Sequence, residues 1–343
     1  MAKKIAKAHG LEGRGDYRGE GMFYSHMPFN KINMESAEDR LKGAAIIDEL
    51  GFRNSVSYQK KADIVLLGDS LVFGLDSPLD LGEALRKKGL KILNLAMSGY
   101  SPEHWVEAFY RYGVKTKPRY VIAFLFDGND FQDAERYQVL SINKQSYREY
   151  LGLNTQISFV NRDPLLNSIL CINHSYFFSF FRALLHYPWQ KHIDHGIVDQ
   201  INIAGKSHKV WYYLFTPDPK IVKSNSFKIV FDAVKKIKVA CKKNDSKFAL
   251  VYLPAHSTVC APYSNLEEVK VLVKHQKFIS EKIMFLCSQE GIQFLDPTKL
   301  FQDAGLKSKL FLRNGNDTHL HPEGIEILAK FIIAKLQIKL YSK

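Results

Sequence analysis

From Ala62 onward the chain alternates between two kinds of apolar pattern. Short unbroken runs, such as Ile64-Val65-Leu66-Leu67, read as strands buried on both faces. Between them lie segments whose apolar residues recur at three and four positions, the helical spacing. The spacing predicts strands over 62–68, 90–97, 119–126, 247–255 and 291–296. It predicts helices over 79–89, 102–114, 226–243, 265–290 and 324–340. The first helix stops on Gly89 and the second opens on Pro102, each a common boundary signal. In the last helix Ile325, Leu328, Phe331, Ile332 and Leu336 share one side.

Strand, helix and strand at this spacing imply a parallel sheet with crossover helices, a three-layer α/β domain of about five strands. The rhythm lapses over roughly 135–225, which reads as an insertion or lid. Residues 1–61 form an N-terminal lead-in, with 1–35 polar, glycine-rich and expected to be irregular. Residues 62–343 are expected to be a single domain carrying the insertion.

Composition narrows the class. The chain has 343 residues, 46% hydrophobic and 13% aromatic, enough to bury a core. The formal charge of +13 would suit an acidic partner, but the lysines are dispersed. The run Lys235–Lys243 reads as the solvated face of a helix. No zinc-finger spacing or RNA-binding aromatic signature accompanies the charge, so nucleic acid is not the expected partner. The four cysteines, Cys171, Cys241, Cys260 and Cys287, are far apart and suit buried thiols better than a disulfide framework.

The basic N-terminus lacks an apolar segment behind it, so no secretory signal is expected. The most hydrophobic window, 165–185, contains Asn167, Asn173, His174 and Arg182, which makes it a poor membrane span. Interfacial attachment is the minor alternative. A cytoplasmic location is the default expectation.

In parallel sheets of this kind ligands bind where the carboxyl ends of the strands meet the loops. Polar clusters sit at those places: Gly68-Asp69-Ser70, Ser98-Gly99-Tyr100 and Asp127-Gly128-Asn129-Asp130. A fourth, Asp317-Thr318-His319-Leu320-His321, precedes the last helix. A serine hydroxyl needs a base to take its proton, and the base needs an orienting acceptor. Ser70 is the candidate nucleophile, His319 the candidate base and Asp317 the acceptor for its other ring nitrogen. The backbone N–H groups of Ser70 and Gly99 and the side-chain amide of Asn129 are candidate oxyanion donors.

Each residue taken alone has a plainer reading. Gly-Asp-Ser is ordinary turn chemistry, Asp69 a cap, Gly99 a turn glycine and Asn129 an Asx turn. His104 and Trp105 read as packing, and Tyr176–Phe181 as core or lid. His319 and His321 at i and i+2 lack an obvious third ligand, so no metal is expected. His321 otherwise caps the last helix, with Pro322 at its first position.

Taken in order, the blocks resemble the SGNH, or GDSL, hydrolases. The match rests on Gly68-Asp69-Ser70-Leu71, Gly99, Asn129, and Asp317 with His319, spanning about 62–134 and 247–335. The segments DELGFRN (48–54), NDF and DTHLHPEG further resemble a subgroup associated with cell-surface or exopolysaccharide acylation. The resemblance implies a flavodoxin-like fold, ester hydrolysis or acyl transfer through an acyl-serine, and no cofactor or metal. The expected partner is a small-molecule or carbohydrate acyl ester, with an O-acetyl group favoured. Two departures stand: Gly128 directly precedes Asn129, and the histidine before Pro322 is His321. The family's histidine-to-glycine spacing favours His319 over His321. Hydrolysis, O-acetyl transfer to a polysaccharide and non-catalytic carbohydrate binding remain three readings. The subgroup resemblance also leaves cell-envelope association open.

Overall fold

The described residues of the segment expected to be irregular form β structure. Strands β1 (Tyr17–Glu20) and β2 (Phe23–His26) pair antiparallel, as do β3 (Lys31–Ser36) and β4 (Leu41–Ile46). In β3 the alternation is clear once seen: Ile32, Met34 and Ser36 are buried while Lys31, Asn33 and Glu35 are exposed. Period-two alternation with one face covered specifies a strand without any apolar run. The computed structural model describes residues 17–20, 22–26, 28–36, 39–57, 61–143, 198–203, 206–211, 219–305, 309–312 and 318–338.

The unbroken apolar runs form the main sheet. Its strands are β5 (Ile64–Leu67), β6 (Ile92–Asn94), β7 (Tyr120–Phe126), β10 (Lys247–Leu253) and β11 (Gln293–Leu295). Between β7 and β10 in the chain lies a separate antiparallel hairpin, β8 (Val198–Ile203) and β9 (Lys206–Trp211). The main sheet is ordered β11-β10-β7-β5-β6, and every pair in it is parallel. All seven residues of β7 are buried, as a strand covered on both faces requires. Counting core strands alone, the order is 2-1-3-4-5, the flavodoxin-like doubly wound arrangement.

The helices are α1 (Ser70–Phe73), α2 (Leu81–Arg86), α3 (Pro102–Ala108), α4 (Asp130–Ile142), α5 (Asn225–Lys243), α6 (His256–Cys260), α7 (Glu267–Gln289), α8 (Thr298–Gly305) and α9 (Pro322–Leu336). Helices α3, α4 and α5 pack together on one side of the sheet, and α2 packs against α9. Lys235, Lys236, Lys242 and Lys243 are exposed along α5, the solvated face that their run suggests. The helix expected over 102–114 changes to a π turn at Phe109–Gly113.

The direction in which strands are added across the sheet reverses between β5 and β7. The chain leaves β5 toward β6 on one side and leaves β7 toward β10 on the other. The carboxyl ends of β5 and β7 therefore flank a topological switch point, where sheets of this kind hold ligands.

Residues 144–197 lie outside the described residues, and with them the 165–185 window, Tyr176–Phe181 and Cys171. Cys241, Cys260 and Cys287 are buried, and burial pushes each thiol up to about 12, which suits packing rather than reactivity. Among the described residues no helix is long and apolar enough to cross a membrane.

Candidate active site

Strand β5 ends at Leu67, and Gly68 and Asp69 lead at once into α1, whose first residue is Ser70. Asp69 is the N-cap: its Oδ1 accepts the Leu71 N–H at 3.0 Å. The Ser70 N–H is thus among the first amides of a helix, which have no acceptor within it. Gly74 N–H and Leu75 N–H both donate to the Ser70 carbonyl at 3.0 Å, closing the turn behind the hydroxyl.

A residue from far upstream holds this turn. Arg53 is buried, and its Nη1 donates to the carbonyls of Phe73 (3.0 Å) and Gly74 (2.6 Å). Its Nη2 donates to the Ser77 carbonyl at 3.0 Å, and its Nε pairs with Asp80 at 3.1 Å. The orphan carbonyls at the end of α1 therefore meet a fixed cation. Its neighbours in the DELGFRN stretch build the same wall. Asp48 accepts the Leu50 and Phe52 amides at 2.9 Å and the Asn54 side chain at 2.8 Å. Asn54 Oδ1 in turn accepts the Asn94 N–H of β6 at 3.0 Å.

The decisive contact spans the chain. His319 Nε2 lies 3.0 Å from Ser70 Oγ. The segment carrying His319 runs antiparallel to 310–312: Leu312 N–H donates to the His319 carbonyl (2.9 Å) and His321 N–H to the Leu310 carbonyl (2.8 Å). Gly324 permits that approach, since a Cβ there would stand 2.4 Å from the Leu310 carbonyl oxygen. His321 takes the other role weighed for it. Its Nδ1 accepts the Glu323 N–H at 3.3 Å as N-cap of α9, with Pro322 next. Asp317 lies outside the described residues.

The second block is tied to the first by the Met97 N–H, which donates to the Gly68 carbonyl at 3.3 Å. Gly99 has φ of 78°, the left-handed region that favours glycine. The N-terminal hairpin braces this loop. Tyr24 OH donates to the Ser98 carbonyl at 2.6 Å, and Tyr100 OH donates back to the Tyr24 carbonyl. His104 completes the brace: Ser101 N–H donates to its Nδ1 (3.0 Å), so Nε2 carries the hydrogen and donates to the Met22 carbonyl (2.9 Å). Burial pushes His104 down to about 3, and it stays neutral. It packs, as its sequence setting suggests, and also hydrogen-bonds at both ring nitrogens.

In the third block Asn129 Nδ2 donates to Asp133 Oδ2 at 2.5 Å, and Arg136 Nη1 donates to Asp133 Oδ1 at 2.5 Å. The amide of Asn129 is thus aimed by a partner one helical turn on, with its second N–H left for another acceptor. Asp127 accepts the Ala255 N–H at 2.7 Å and joins the ends of β7 and β10. Ser70, Gly99, Asn129 and His319 are all half-buried, whereas Asp69, Tyr100, Asp130 and Asp133 behind them are buried. The reactive candidates line a rim with fixed polar supports beneath. Among the described residues no three His, Cys, Asp or Glu side chains are grouped to hold a metal.

No family model matches the chain, and no curated protein matches it. Solved structures do. It is similar to a lipase/acylhydrolase from Enterococcus faecalis, at 14% identity over 82% of this chain and 98% of that one, with a TM-score of 0.37. A GDSL-like lipase from Bacteroides thetaiotaomicron matches at 9% identity, over 82% and 92%, with a TM-score of 0.38. An acetylxylan esterase from Geobacillus stearothermophilus matches at 8% identity, over 84% and 100%, with a TM-score of 0.41. At these values the likeness is one of general shape, and the fold assignment stands on the strand order itself.

Sequence reasoning singled out the DELGFRN stretch but gave no role to Arg53 within it, nor to Tyr24, Asp133 or Arg136. Asp133 and Arg136 carried a signal, since they lie four and seven residues after Asn129, the spacing of one helix face. Tyr24 acts on a backbone carbonyl, which every residue has, and Arg53 acts on three carbonyls and on Asp80, a partner far along the chain that no local pattern links to it.

Proposed function

We propose that this protein is a serine-dependent hydrolase of acyl esters, with Ser70 as nucleophile and His319 as base. The single observation behind this reading is the 3.0 Å contact between Ser70 Oγ and His319 Nε2, at a half-buried rim over the switch point of the sheet. Ser70 Oγ attacks the ester carbonyl carbon while its proton passes to His319 Nε2. The carbonyl oxygen gains the negative charge and takes hydrogen bonds from the Ser70 and Gly99 amides and the Asn129 side chain. As the tetrahedral centre collapses, the carbon–oxygen bond to the leaving alcohol breaks and His319 gives that alcohol its proton. Water, deprotonated by His319, then attacks the acyl-serine; the bond from the acyl carbon to Oγ breaks, His319 returns the proton to Ser70 Oγ, and the acid leaves. Asp317 is assigned to hold the imidazole Nδ1–H.

The subgroup resemblance makes O-acetyl esters of carbohydrates the first substrates to test. Acyl transfer to a sugar hydroxyl would keep every role and change only the species that attacks the acyl-serine. A fluorophosphonate probe, which captures activated serines, tests the reading. The expected result is one label, at Ser70, that disappears in Ser70→Ala. A folded protein that takes no label would end the proposal and favour non-catalytic carbohydrate binding.

A further inference from the structure

Two carboxyl groups at the switch point are each half satisfied. Asp69 is 1% exposed and Asp130 is 0% exposed. Asp69 Oδ1 accepts the Leu71 N–H at 3.0 Å, and Asp130 Oδ2 accepts the Phe126 N–H at 2.7 Å. The remaining oxygens, Asp69 Oδ2 and Asp130 Oδ1, are buried with no hydrogen-bond partner. A buried carboxylate oxygen left so is costly, and two in one place are costlier.

The strand register carries the two segments toward each other. Successive amides of a strand point to opposite edges. The Asp127 N–H donates to Leu253 of β10, so the Phe126 N–H points the other way, toward β5. Strand β5 has ended by then, and the Asp130 carboxyl occupies the vacated seat. The β5–β7 register pairs Leu67 with Ala123. Extended by two residues, that register sets Asp69 beside Leu125, next to the amide that holds Asp130. Two acceptor-only groups cannot bond each other, whereas one acid and one carboxylate can.

We propose that Asp69 and Asp130 share one proton, so that a carboxylic acid hydrogen-bonded to a carboxylate ties the Ser70 loop to the Asn129 loop. Their surroundings agree. Burial pushes Asp69 up to about 6, with His319 pulling it down and Asp133 pushing it up. Burial, then Asp69, Asp133 and Asp127 together push Asp130 well above the usual carboxylate range, while the Phe126 amide pulls it down. The nearest cation on α4, Arg136, is engaged with Asp133. Both aspartates are positioning residues. They touch no substrate and act through the two loops they join.

The proton count supplies the test. Above about pH 5, and until the pair itself ionises, the folded chain holds one proton at the pair that the unfolded chain has lost, so stability falls as pH rises, by a factor of about ten in the folding constant per pH unit. In Asp69→Asn or Asp130→Asn the amide oxygen keeps the backbone N–H and the amide nitrogen donates to the remaining carboxylate. Each single variant should fold, and each should lose the same one-proton slope in urea unfolding followed against pH. Each should also remove the same carbonyl stretch of a protonated carboxyl from the infrared spectrum at pH 8. The double variant sets two N–H donors against each other and should be destabilised by far more than the two single effects added. Strictly additive effects, separate infrared bands for the two residues, or failure of both single variants to fold would each overturn the proposal. Ester turnover plays no part in these readouts, so their failure would leave the esterase reading intact.

Discussion

Ser70 and His319 meet at 3.0 Å, yet the chain holds them in opposite ways. The serine sits in a six-residue turn, 69–74, closed by its own backbone bonds and capped at both ends, by Asp69 in front and Arg53 behind. The histidine hangs on a strand-like segment whose support is another piece of backbone, 310–312, with Gly324 as the clearance that lets the two approach. The first arrangement is written into contiguous residues and one buried cation. The second exists only once the last helix has docked.

The largest effect should come from severing the contact itself. Removing the imidazole in His319→Ala should lower ester turnover by a factor on the order of 10⁴, leaving the thermal midpoint nearly unchanged. Steady-state kinetics on short acetyl esters, with an unfolding scan beside them, checks both halves. Arg53→Met attacks the support of the serine instead. It leaves Asp80 buried beside carbonyls that have lost their donor, so urea unfolding should register a loss of about 3–5 kcal/mol. A loss below about 1 kcal/mol would mean that the turn holds without its clamp. Asn129→Ala removes the proposed oxyanion donor and should cost about 10²–10³ in kcat with little change in KM. His321→Ala probes the histidine side most gently. It deletes a helix cap, so stability should drop by about 1 kcal/mol while turnover stays within a few-fold. If turnover instead collapsed with His321 and survived the loss of His319, the two histidines would have to exchange roles.

The same contrast explains what the sequence could show. Buried parallel strands must be apolar on both faces, so β5, β7 and β10 stand out as unbroken runs. The blocks around Ser70, Gly99 and Asn129 follow such runs directly and are visible for that reason. The register of the last block is harder to see. His319 and His321 lie two apart, and only the docking of the segment on 310–312 sends one to the serine and the other to the helix cap. Strand β3 escaped notice because half of its positions are solvent-facing and polar. Strand β6 is shorter than its apolar run, stopping at Asn94, whose side chain accepts the Ala96 N–H and turns the chain out of the sheet. The π turn at Phe109–Gly113 sets Gly113 against the Phe109 ring, where a Cβ would lie 2.4 Å from it.

The bond from Tyr24 to Ser98 has a practical side. Someone trimming this protein to its α/β portion would naturally cut near Ala62, where the regular strand–helix rhythm starts. Such a fragment would discard Tyr24, Met22 and Arg53 together, and with them the outside struts of two rim loops. It could keep the sheet and every residue assigned to chemistry and still let the Gly99 loop swing away from the serine.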